Sequence, residues 1–141
     1  MQREFKPGRQ LVLSLPKDSD PIVELREFCQ KENLQTAFLW GIGALTRAVF
    51  GVYDPQSGQY HSQTREEFLE ILNCTGNISL KEGKTFPHLH ITLADKSGQS
   101  RGGHLMEGSR VFAGEFFLLE PSGAPLVREF DAPTGLSLWQ K

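Results

Sequence analysis

The sequence predicts an α+β domain, with one main helix against a mainly antiparallel sheet, on three observations. Only one stretch, residues 20–33, joins helix-start chemistry to a helical apolar stripe. Most of the remainder falls into short runs of alternating, aromatic or β-branched residues. Clusters of Gly, Pro, Asp and Ser separate those runs. With 141 residues and 38% hydrophobic content the chain can bury one core without staples, so residues 1–141 are read as a single domain.

The first strand is expected within Met1 to Leu15, where Leu11, Leu13 and Leu15 alternate with Val12 and Ser14 until Pro16 stops the run. The helix follows. Asp20 can accept from its first free N–H groups, Pro21 suits the first helical position, and Ile22, Leu25, Phe28 and Cys29 share one face. It should end near Asn33. From Thr36 to Tyr53, with Gly41 and Gly43 inside, the pattern suggests two strands around a bend. Asp54 to Gly58 is turn chemistry. Glu66 to Leu72 has helical propensity, but Leu69, Ile71 and the Thr75–Ile78 run suit a strand, and strand is the reading taken. Further strands are expected at Pro87 to Ala94, His104 to Met106 and Val111 to Glu120, with a turn-rich piece from Asp95 to Gly103. Pro121 to Pro125 forms a last turn before a short tail ending at Trp139.

Charge and cysteine usage narrow the function classes. Fifteen basic against 17 acidic side chains give a net charge of -2, so no global positive field draws the chain to nucleic acid or an anionic membrane. Any DNA contact would have to be local. Cys29 and Cys74 lie in apolar surroundings and form no disulfide framework, and no run approaches the roughly 20 apolar residues of a membrane helix. The expectation is a cytoplasmic protein with reduced thiols.

The chemistry concentrates on histidine. On a strand, residues i and i+2 share a face, so His88 and His90 project together while Leu89, Ile91 and Leu93 project oppositely. Lys96-Ser97-Gly98 fits a three-residue hairpin loop with Gly98 left-handed, which pairs Asp95 with Gln99 and, counting up the ladder, His90 with His104. Opposed residues have Cβ atoms about 4.5 to 5.5 Å apart, close enough for imidazoles to share a zinc at about 2.0 to 2.1 Å. Gly102 and Gly103 let the backbone bend or approach closely beside the third ligand. Three protein ligands with an open fourth position is the pattern of catalytic zinc. The competing reading is a half-exposed polar face.

Other signals are weaker. Glu115 interrupts the apolar run Val111 to Leu119, which suits a partner of the ligands, a fourth ligand or a proton-transfer base; an edge position or an ion pair with an arginine such as Arg110 would explain it equally. Glu70 poses the same question. Gly41-Ile42-Gly43 begins like a dinucleotide fingerprint but lacks the third glycine and a following helix, so tight strand packing is the better account. His61 reads as a solvated loop residue, and neither cysteine has a neighbouring histidine to activate it.

Together the segments Trp40-Gly41-Ile42-Gly43-Ala44, Leu69-Glu70-Ile71-Leu72, Thr75-Gly76-Asn77-Ile78, Pro87-His88-Leu89-His90 and Gly102-Gly103-His104-Leu105 make the chain resemble a prokaryotic PPC domain, of the "plants and prokaryotes conserved" family. The resemblance implies a strongly bent antiparallel sheet beside a helix, a homotrimer, and a metal, zinc or another divalent transition metal, at His88, His90 and His104. His-Leu-His followed by Gly-Gly-His is also similar to the zinc site of α-acetolactate decarboxylases, where an arginine and a glutamate complete the chemistry. Arg101, Glu70 and Glu115 are the candidates for such catalytic roles here. Plant relatives carry AT-hooks built on Arg-Gly-Arg-Pro, and this chain has none. Three classes therefore stay open: a metal-dependent enzyme or small-molecule binder, a DNA-binding regulator, and an assembly domain with a structural metal. The DNA class would gain from a basic face built of Arg3, Lys6, Arg9 and Arg47.

Overall fold

A computed structural model of the chain describes residues 3–140; Met1 and Gln2, at the head of the first expected strand, and Lys141 lie outside the described residues. Nine strands and one helix follow in the order β1 (Lys6–Leu15), α1 (Pro21–Lys31), β2 (Ala37–Asp54), β3 (Gln59–Arg65), β4 (Leu69–Lys81), β5 (Lys84–Ala94), β6 (Ser100–Leu105), β7 (Arg110–Ser122), β8 (Val127–Asp131) and β9 (Leu136–Trp139). They form one sheet ordered β1-β7-β2-β6-β5-β4-β8-β9, with β3 on β2. Because β2 pairs with β4 as well as with β6, the sheet bends back on itself around β2, β6, β5 and β4. All pairings are antiparallel except the short contact of β4 with β8.

The helix starts where its capping chemistry places it. Asp20 Oδ1 accepts from the N–H groups of Ile22 (2.8 Å) and Val23 (3.3 Å), and its Oδ2 accepts from Gly108 N–H (2.6 Å) in the loop before β7. One carboxylate thus satisfies helix donors, typically worth about 1 kcal/mol, and ties the helix to the sheet. Pro21, Ile22, Leu25 and Cys29 are buried. The helix closes at Lys31 rather than at Asn33, which takes the left-handed conformation (φ 53°), and Leu34 N–H returns to Cys29 C=O at 2.7 Å.

Residues 37–54 form one 18-residue strand, not two. The glycines cause an irregularity in the register between Gly41 and Gly43 instead of a chain reversal. Gly43 has φ 150°, and a Cβ there would lie 2.2 Å from Ala113 C=O, so only glycine lets β7 approach. The supposed loop around His61 is strand β3, whose residues are nearly all exposed and so carry no apolar period. The tail beyond Pro125 is a hairpin, β8 and β9.

The core forms between α1 and the inner sheet face, where Leu25, Leu34, Leu45, Leu69, Ile78, Leu89, Leu93, Leu105, Val111 and Leu118 are all under 2% exposed. Each such side chain contributes about 1.5–3 kcal/mol of burial. Cys29 and Cys74 are free and sit in this core, where burial pushes both thiols up to about 12. No helix among the described residues is long and apolar enough to cross a membrane.

Candidate metal centre

Strand alternation sorts β5 into two faces: Leu89, Ile91 and Leu93 enter the core, while His88 and His90 stand on the other side. The turn after β5 sets the rest. Asp95 N–H donates to Gln99 C=O (3.1 Å), Gly98 N–H donates to Asp95 C=O (2.8 Å), and Gly98 has φ 81°, the left-handed glycine that a three-residue loop needs. Asp95 Oδ1 also accepts from the Ser97 and Gln99 N–H groups. This loop puts Ala94 opposite Ser100, and the ladder runs on until His90 faces His104.

On its other side His104 pairs with Gly51 of β2. The approach of the two backbones requires glycine, since a Cβ on Gly103 would lie 2.5 Å from Gly51 C=O. The histidine ring centroids are 5.3 Å (His88–His90), 5.0 Å (His88–His104) and 5.6 Å (His90–His104) apart. One ring nitrogen from each lies within 4.8 Å of the others. Three points mutually within 4.8 Å all lie within about 2.8 Å (4.8/√3) of a common point. Modest side-chain rotation closes that to the about 2.0 to 2.1 Å of a zinc–imidazole bond.

Electrostatics prepare His88 and His104 as neutral donors. Burial, followed by the positive charges of Arg128, His104 and His90, pushes His88 down to about 4. Burial, then His90 and Arg128, lowers His104 as well. Deprotonated imidazole is the form that binds a cation. His104 Nδ1 is buried and has no hydrogen-bond partner among the described residues, a costly state that a bound cation would relieve. The donor set therefore fits a divalent transition metal, for which imidazole is a favoured ligand.

Arg128, on β8, is the polar residue that sequence reasoning missed. It is 7% exposed. Its Nε–H donates to Ser79 Oγ (2.8 Å), Nη1 to Ser137 C=O (2.9 Å), and Nη2 to Asn77 Oδ1 (2.8 Å) and His88 Nδ1 (3.1 Å). The guanidinium lies over the rings of Phe86 and Trp139, at 5.5 and 5.6 Å from their centroids. Arginine only donates, so His88 Nδ1 must accept, which places the proton of the neutral ring on Nε2. A cation arriving at His88 therefore displaces either that proton or the arginine contact. The available signal was the Asp131-to-Gly135 turn chemistry between two short runs with apolar residues, Leu126 to Phe130 and Leu136 to Trp139, together a hairpin pattern.

The carboxylate and arginine candidates lie elsewhere. Arg101 faces the turn, where it donates to Asp95 Oδ2 (3.2 Å). Glu115 is exposed and lines a different cleft with Val12, Trp40, Ile42, Asn73 and Phe117. Glu70 is exposed opposite Ala94, four residues along β5 from His90. None of the three is brought to the histidines. His61 is exposed on β3 and lies 3.5 Å from Asp54.

The histidines open onto a cleft of about 660 Å3, walled by Tyr53 and Tyr60, Phe86, Leu136 and Leu138, with Lys81 and Arg128 as its cations. Tyr60 stacks at 5.0 Å on His104.

Comparison with known proteins places this geometry in context. Residues 2–121 match the Plants and Prokaryotes Conserved (PCC) domain. The fold is similar to that of a metal-containing protein from Archaeoglobus fulgidus, with TM-score 0.94 and 38% identity over all of both chains. A plant- and prokaryote-conserved (PPC) protein from Pyrococcus horikoshii gives TM-score 0.94 and 32% identity over 100% of this chain and 97% of that one. A candidate DNA-binding protein from Bacteroides thetaiotaomicron gives 0.86 and 28% over 96% and 94%. Among curated proteins, the bifunctional protein GlmU of a Synechococcus strain is 33% identical over 114 residues, 79% of this chain. The chain spans only 17% of the length of that relative.

Proposed function

Since this chain belongs to the Plants and Prokaryotes Conserved domain family, and the matched residues include all three histidines, we propose that it is a metal-binding protein whose His88, His90 and His104 hold one divalent transition metal, zinc first, beside a cleft for a small molecule. The observation that carries this reading is the convergence of three imidazole nitrogens within 4.8 Å, with His88 and His104 held in the neutral form. A metal with three protein ligands keeps a position open, through which it can polarise a carbonyl or activate water. Around it, Arg128, itself held by Asn77 Oδ1, donates to His88, Tyr60 lies against His104, and aromatic side chains line the cleft. The Archaeoglobus relative is described as metal-containing, which supports the same reading. Elemental analysis of protein purified without a histidine tag should give about one metal per chain; a metal-free protein that takes up neither zinc nor cobalt would refute it.

The same reading includes a homotrimer, supported by an apolar surface on the outer sheet face. Val12, Trp40, Ile42 and Leu72 are 78, 49, 57 and 52% exposed, and Trp40 stacks on Phe117 at 4.6 Å. Such a surface favours cover by another subunit. Light scattering should give three times 15.8 kDa, about 47 kDa. A monomer at micromolar concentration would contradict the trimer and leave the metal site standing.

A further inference from the structure

Between the histidines and the β8–β9 hairpin, the protein buries a positive charge without a counter-charge. Arg128 has four hydrogen-bond partners and all are neutral: a hydroxyl, a carbonyl, an amide and an imidazole. Burial lowers its pKa, yet a guanidinium keeps its proton. Isolated buried cations are costly and are normally paired. Lys81, beside Arg128 in the β4–β8 register, adds a second cation, and its Nζ lies 5.4 Å from the Phe86 ring centroid with no carboxylate within 4.0 Å among the described residues. Among the described residues no Asp or Glu lines the histidine cleft. Glu129 and Asp131 line an adjoining cleft that shares His88, Arg128 and Leu138 with it, but they bond Gln140 and Thr134 and form no ion pair with Arg128 among the described residues.

We propose that this cleft binds a small organic carboxylate, held between the metal at the three histidines and the Arg128 guanidinium, with Lys81 adding long-range attraction. The inference rests on the metal reading, and Arg128 lies outside the residues of the family match, so that match does not supply it. Of the five guanidinium N–H groups, four are used, which leaves one on Nη1 for a ligand. One N–H and one ammonium suit a monoanion; a phosphate group, with more charge and three or more acceptor oxygens, asks for more donors. Val52, Tyr53, Tyr60, Phe86, Leu136 and Leu138 offer the remaining wall to an apolar body. A metal ion and Arg128 repel each other, so an anion between them should strengthen metal binding, and by reciprocity metal should strengthen anion binding by the same factor.

The test uses the full untagged chain loaded with cobalt(II), whose visible absorption reports changes of coordination. Acetate should shift the spectrum saturably and tighten cobalt binding, neutral acetamide should do neither, and phosphate should compete only weakly. Arg128→Met should weaken acetate about tenfold or more, the value of one charge-assisted hydrogen bond, and abolish its coupling to cobalt. Lys81→Gln, on a partly exposed strand end, should weaken acetate about threefold and covers the case that Arg128→Met does not fold. Failure of the wild-type chain to take up cobalt would overturn the metal reading and this proposal together. Cobalt uptake with no acetate response, equal response to acetamide, tighter binding of phosphate than of acetate, or unchanged acetate affinity in a folded Arg128→Met or in Lys81→Gln would overturn this proposal alone.

Discussion

Replacing His104 by alanine should separate the metal's contribution to stability from that of the fold. In the metal-free chain the substitution removes a partly buried imidazole whose Nδ1 has no partner, so the lost stacking on Tyr60 is offset by removal of an unsatisfied polar atom. The expected change is within about 1 kcal/mol. With metal the balance differs. At an ion concentration about 1,000 times Kd, a folded-state ligand adds about 4 kcal/mol, which for a chain of this size raises Tm by roughly 10 °C. His104→Ala takes away one of three ligands and should cut affinity by more than the 10- to 100-fold typical of losing a ligand's own supporting contact. The Tm rise on adding zinc should then fall below about 4 °C at the same concentration, since a 100-fold loss leaves about 1.4 kcal/mol. His61→Ala is the control, because that side chain is 75% exposed and lies beside Asp54, outside the three-histidine group. The assay is thermal unfolding after chelator treatment, with and without zinc. Equal zinc-induced shifts in wild type and His104→Ala would refute the reasoning.

Three further outcomes follow from the same geometry. Gly76→Ala would place a Cβ 2.0 Å from His88 C=O, so β4 and β5 must part beside the site; a loss of about 2–3 kcal/mol in urea unfolding is expected, and an unchanged midpoint would sink the steric account. Cys29 and Cys74, both buried and both pushed up to about 12, should resist a small alkylating reagent at pH 8 until the chain is unfolded, which mass spectrometry reads directly, and rapid labelling of the folded protein would contradict the burial. DNA affinity should be weak and non-specific near 150 mM salt, because the chain is net negative and two of its four suggested contact residues are already paired, Arg9 with Glu120 and Glu32, and Arg47 with Glu66 at 2.9 Å. Sequence-discriminating binding at a Kd of about 10⁻⁸ M or tighter would overturn that expectation.

What could be read in the sequence was whatever local chemistry dictates. Asp20 and Pro21 place the helix start, and Gly98 with Asp95 sets a loop of defined length, from which the pairing of His90 with His104 follows by counting. Long-range relations were not legible. Whether Gly41 and Gly43 reverse a strand or only bend it depends on β7 arriving against them, which no local pattern encodes. Strand β3 escaped because both of its faces are wet. Arg128 escaped for a related reason: its burial comes from Phe86, Ser79 and Asn77 on strands far back in the chain, so in sequence it looks like an ordinary surface arginine. Sequence left two readings of Glu115 open; its apolar neighbours alternate across the sheet and leave the carboxylate in solvent, in keeping with the outward-facing one.

The central claim is that His88, His90 and His104 hold one metal ion through ring nitrogens that already lie within 4.8 Å of one another. Anomalous diffraction at the zinc absorption edge, from crystals of untagged protein soaked in zinc, addresses it most directly. The account predicts one anomalous peak per chain at about 2.0 to 2.1 Å from a nitrogen of each of the three histidines. A map with zinc bound elsewhere on the chain and none among these three rings would contradict it.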